Sequence, residues 1–160
     1  MTARFAQILA LLGLFLPGVA AAADNLLYFS TKLNVSNIEK SIDFYTNMMG
    51  LKVATQTSGG RVLEVILTKG GEKTAVTEQA IVLAYNKERK EPLVIGDAFN
   101  NITFVVSDLA GLVKKLEAAG HKITGNPAPR PSATPAAKQI AVVFLKDPDG
   151  YTIELLQRFQ

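Results

Sequence analysis

The chain has 160 residues, with 17 Lys and Arg against 14 Asp and Glu and a formal net charge of +3. It has no cysteine, which excludes disulfides, thiolate metal sites and lipidated or nucleophilic cysteines, and its single histidine gives no support for a Ser–His–Asp system. Charges of both signs are mixed along the sequence, and no basic stripe interleaved with aromatics occurs, so nucleic acid is not an expected partner.

Residues 1–23 read as a signal peptide. Arg4 supplies the positive start, residues 8–16 form a short apolar run, Pro17-Gly18 breaks it, and Ala21-Ala22-Ala23 offers a small-residue cleavage site. The apolar run is too short to cross a membrane as a helix. The expected mature chain is one domain, 24–160, delivered to a bacterial periplasm or the exterior. No other segment is long and apolar enough to span a bilayer, so no membrane contact is expected after cleavage.

A first strand is expected over 26–34. A helix follows, opened by a Ser36/Glu39 capping box, with Ile38, Ile42, Tyr45 and Met49 on one face and Gly50 as its stop. Strands are expected at 51–57, 61–68 and 79–86, with turns at Gly59-Gly60 and Gly70-Gly71. Lys87 to Glu91 alternates in sign and reads as a solvated connector. A second set follows: a strand at 99–106, a helix at 108–119 with Leu109, Leu112, Val113 and Leu116 inward, and strands at 121–125, 139–145 and 151–157. The Pro- and Ala-rich stretch 126–137 reads as a loop. The two sets repeat about 71 residues apart. Val35-Ser36-Asn37-Ile38 matches Val106-Ser107-Asp108-Leu109, and Ile81-Val82-Leu83 matches Ile153-Glu154-Leu155.

Two βαβββ modules, 26–86 and 99–157, with an opening SNIEKSIDFYTNMMGLKV and a closing DPDGYTIELLQ, resemble the vicinal oxygen chelate superfamily. That superfamily includes glyoxalase I, bleomycin-resistance proteins and extradiol dioxygenases. The resemblance implies an α+β fold in which curved mixed sheets form a cup. It also implies four metal-ligand positions, which here hold Ser30, Val82, Asn101 and Glu154. Only Glu154 is a strong ligand. Zn²⁺ and Ni²⁺ sites are built from imidazole, thiolate and several carboxylates, so no metal and no other cofactor is expected. His121, just past the second helix, reads as a loop residue, and Phe44 and Tyr45 read as core.

Strand alternation puts Ser30, Lys32 and Asn34 on the cup face, with Ala80, Val82 and Ala84 beside them. In the second module that face carries Asn101, Thr103 and Val105, then Thr152, Glu154 and Leu156. A half-apolar concave face with a few convergent polar groups suits a small-molecule ligand. Glu154 there calls for a cation or several donors, and Lys32, Arg130 and Lys138 are the candidate cations. The expected function is therefore an exported, glyoxalase-like small-molecule binding protein without a catalytic metal. The alternative is a lactoylglutathione lyase-like lyase or isomerase using Glu154 as base. The resemblance also implies a homodimer.

Overall fold

The computed structural model describes residues 28–74 and 78–160. The expected signal peptide and the first two residues of the expected first strand lie outside them. The first module comprises β1 (Ser30–Val35), α1 (Ile38–Asp43), β2 (Lys52–Gly59), β3 (Val62–Thr68) and β4 (Ala80–Asn86). The second comprises β5 (Ile102–Val105), α2 (Leu109–Ala118), β6 (Thr124–Pro131), β7 (Gln139–Lys146) and β8 (Thr152–Phe159). Each module is a four-stranded mixed sheet, in the orders β1-β4-β3-β2 and β5-β8-β7-β6. In both, the first strand runs parallel to the last. The expected α+β pair of βαβββ modules is what the chain forms.

The registers carry the repeat to single residues. Lys32 stands opposite Val82, and Thr103 stands opposite Glu154. Lys32 and Val82 in the first sheet thus occupy the places of Thr103 and Glu154 in the second.

Three local expectations need correction. The cap of α1 is Asn37, not Ser36: Asn37 is extended, and its side chain accepts from the Lys40 N–H. The Ser36 N–H is taken by Asp149 Oδ1 at 2.9 Å instead. Beyond Asp43 the helix widens into a π-turn, Phe44–Met48, before Gly50 ends it at φ 74°. The second strand of the second module starts later than expected and runs to Pro131, well into the expected loop. β6 is an edge strand, exposed throughout, with an irregular register between Asn126 and Arg130. A proline there can leave a ladder bond unmade without orphaning a buried group.

Leu33, Val65, Leu67, Ile81 and Leu83 from the first sheet and Val143, Leu145, Ile153 and Leu155 from the second join one core. Phe44, Tyr45, Leu109, Val113 and Leu116 fill it from the helix layer. Burying each such aliphatic contributes about 1.5–3 kcal/mol. The helix-side faces of both sheets therefore meet inside one chain, which leaves the opposite faces outward.

A polar joint locks the modules together. The Tyr45 hydroxyl donates to Asp147 Oδ2 at 2.9 Å, and the Ser41 hydroxyl to Asp149 Oδ2 at 3.2 Å. The Tyr151 hydroxyl donates to the Asn34 carbonyl at 3.1 Å. The β7–β8 turn of the second module is thus seated on α1 and the end of β1 of the first.

Candidate functional site

Glu154 owes its place to strand parity. Ile153 and Leu155 are fully buried on the helix side, so the carboxylate between them projects from the opposite face. A slip of one residue would drive Glu154 into the core, so burial of its neighbours fixes the register. Thr103 on β5 and Phe144 on β7 stand directly opposite Glu154 on either side. The Asn101 amide donates to Glu154 Oε2, and the Thr103 hydroxyl donates to the same oxygen at 3.1 Å. Asn101, Thr103 and Glu154 are thus brought together as expected.

The first-module residues are not part of that cluster. Lys32 pairs with Glu64 Oε1 at 2.7 Å, on its own sheet, and not with Glu154. Parity explains the choice: Lys32 on β1 and Glu64 on β3 share a face with Val82 and Ala84 of the intervening β4. Val82 is buried beneath them. Asn34 is exposed on the same side. Among the described residues, Ser30 makes no hydrogen bond to Glu154 or Asn101, and neither Arg130 nor Lys138 forms an ion pair with Glu154.

The four inherited positions offer a metal little. Val82 has only hydrocarbon to offer, and Ser30 and Asn101 offer only neutral, weak donors. No group of three or more His, Cys, Asp or Glu converges among the described residues. The donor set does not fit a divalent transition metal.

His121 is more engaged than a plain loop histidine, because its ring meets Phe44 edge-on with centroids 5.3 Å apart. Phe44 and Tyr45 are core residues, as expected, but Tyr45 also carries the polar joint. Burial raises the Asp147 carboxyl above its ordinary range, with the Tyr45 hydroxyl and the backbone N–H groups of Tyr151 and Asp149 opposing that rise. Tyr45 is raised in turn, first by burial and then by the Asp147 charge. Sequence reading missed this group. The DPDG run marks a turn but does not say what the turn docks against.

A cavity of about 1120 Å³ lies between the modules and wraps both sides of β5. Thr31 and Ile81 line it from the first sheet, and Ile102, Phe104 and Leu112 from the second module. It takes in Asn101, Thr103 and Val105 along β5 but not Glu154, Ser30 or Val82.

The model of the Glyoxalase/Bleomycin resistance protein/Dioxygenase superfamily matches residues 26–155. A probable lactoylglutathione lyase of Vibrio parahaemolyticus is 34% identical over 130 residues, covering 81% of this chain and 89% of the relative. The trypanothione-dependent glyoxalase I of Leishmania major superposes with a TM-score of 0.66 at 25% identity, over 82% of this chain and 86% of that one. Glyoxalase I from Zea mays gives a TM-score of 0.67 at 26% identity, and here the match spans 83% of this chain but only 45% of the maize chain.

Proposed function

Because the chain belongs to the Glyoxalase/Bleomycin resistance protein/Dioxygenase superfamily, we propose that it is an exported small-molecule binding protein of that fold working without a catalytic metal. The observation that carries this reading is the state of the four inherited positions. Glu154 is held by the neutral donors Asn101 and Thr103, Val82 is buried hydrocarbon, and the expected first-sheet cation, Lys32, is committed to Glu64. What remains is a concave face with one oriented carboxylate, hydroxyls and amides, and apolar neighbours, which is how small-molecule sites are built.

We place the working unit as a homodimer. The helix-side faces are used up within one chain, and the outward faces expose Val105 and Phe144 at 60% and 36%. One maize chain holds about the length of two copies of this one. A second copy would set the Lys32 face of one chain against the Glu154 face of its partner and close a cup that neither chain closes alone.

A second reading is favoured by the names of the relatives: a lyase or isomerase with Glu154 as base. One experiment separates the two. Native mass spectrometry of protein from its own host, followed by a hemithioacetal isomerisation assay with and without added Ni²⁺ or Zn²⁺, should find a dimer with no stoichiometric metal and no turnover. Metal at one per chain, lost on Glu154→Gln, or turnover on metal addition, would establish the second reading. Sequencing the mature N-terminus should give Asp24 or a residue within two of it, and an intact Met1 on exported protein would refute export by cleavage.

A further inference from the structure

We propose that the outward face of the second module receives an organic ammonium ion, a protonated primary or secondary amine carrying an apolar or aromatic group. This rests on the reading of that face as a ligand site.

Both protein donors to Glu154, the Asn101 amide and the Thr103 hydroxyl, are spent on one oxygen, Oε2. Oε1 accepts from no group among the described residues, and it is not a sealed, unsatisfied atom. The carboxylate is thus oriented by two neutral groups, half-buried, and left with one oxygen open. Neutral donors fix its direction but do not compensate its charge. A partly desolvated carboxylate gains most from a donor that brings positive charge with it.

The surroundings select what that donor is attached to. Phe144, directly opposite Glu154 on β7, is 36% exposed, and Val105 on the same face is 60% exposed. Leu156 lies half-buried between them. An aromatic edge or face beside a carboxylate suits a cation with an apolar body, because the ring attracts the charge and covers the hydrocarbon. Three basic residues share this face, one of them Arg130 on β6, which stands opposite Ile140 and forms no ion pair among the described residues. Lys146, one rung away opposite Thr152, donates to the Thr152 hydroxyl at 2.7 Å and leaves the carboxylate alone. Arg158, two rungs the other way, stands opposite Ile140 and forms no ion pair among the described residues. Within one chain the Glu154 charge is therefore open to an external cation, and in the proposed dimer the facing Lys32 is already paired with Glu64.

The test is an amide-shift NMR titration of the full mature chain with three probes of one shape: benzylammonium, benzyl alcohol and benzoate. Benzylammonium should shift amides of residues 101–105, 142–146 and 152–156, binding at least tenfold more tightly than benzyl alcohol, with benzoate weakest. Glu154→Gln should bring benzylammonium to the benzyl alcohol level, and Phe144→Ala should weaken both. Benzyl alcohol or benzoate binding at these amides as tightly as benzylammonium would overturn the cation class while leaving the face as a ligand site. Shifts confined to cavity residues off this face, such as Thr31, Ile81 and Leu112, with residues 142–146 and 152–156 unmoved, would overturn both. The selectivity is read on the unmodified chain, so it stands even if a variant fails to fold.

Discussion

At Glu154 the same side chain can be tested for binding and for stability. Because its donors are neutral, Glu154→Gln removes an uncompensated half-buried charge, and the melting temperature should stay level or rise. Ligand affinity should fall by about 1.5–3 kcal/mol, the usual worth of a hydrogen bond to a charged group. A drop in melting temperature with affinity unchanged would make Glu154 a structural residue. Lys32→Met should behave differently. The Lys32 and Glu64 side chains are 54% and 32% exposed, so their pair contributes under about 1 kcal/mol, and urea unfolding should barely register its loss. Asp147 is the residue whose protonation matters to the fold. Its carboxyl is raised by burial, so the folded state holds a proton more tightly than the unfolded one. The stability this adds is fully present below the ordinary Asp value of about 3.9 and is lost as pH rises through the raised value. Asp147→Asn should therefore flatten the fall in stability above that ordinary value. Tyr45→Phe removes an opposing influence and should extend the fall to higher pH. Identical slopes in the parent and both variants would refute this account.

Among the elements, those read correctly were the ones whose pattern and burial agree. α2 was legible because Leu109, Val113 and Leu116 recur at helical spacing and are all buried, with Asp108 capping the Gly111 N–H. The hairpin at Gly59-Gly60 was legible from its glycines, and Gly60 does adopt φ 61°. A strand was expected where β6 begins, but its run to Pro131 was not legible, because three prolines disguise a strand whose outer edge needs no ladder partner. Nor was the π-turn at Phe44–Met48, since the extra residue leaves the apolar spacing almost unchanged. β6 depends on Gly125, which has φ 99° and whose added Cβ would lie 2.9 Å from the Val142 carbonyl oxygen. Backbone strain and this contact should make Gly125→Ala cost about 1–3 kcal/mol. Gly120→Ala, at φ 85° with open space around it, carries the strain alone and should cost less. Urea unfolding of the pair checks the order, and equal losses would show that the contact relaxes freely.

For the molecule as a whole, the repeat told which positions correspond but not how the modules sit. Two readings of one pattern, a cup within a chain or between chains, differ only in which faces meet. That is decided by side chains such as Tyr45 and Asp147, 102 residues apart. The second-module half of the candidate site was legible from strand parity. In the first-module half, Lys32 was one candidate partner for Glu154, and its actual partner within the chain, Glu64, lies two strands away where no sequence spacing marks it. If the outward faces pair between copies, sedimentation equilibrium should give twice the chain mass, and Val105→Arg on β5 should yield folded monomer. A monomeric parent would refute the shared cup. The joint between the modules has a further consequence, for the order in which the chain can fold. The turn at 147–151 bonds Ser36, Ser41 and Tyr45 across separations of 113, 108 and 102 residues. Contacts of such long sequence separation close late and slowly. The Tyr45 hydroxyl of the first module therefore has its Asp147 partner only once the β7–β8 hairpin has formed, so a chain halted before Asp147 should stay more protease-sensitive than the whole chain.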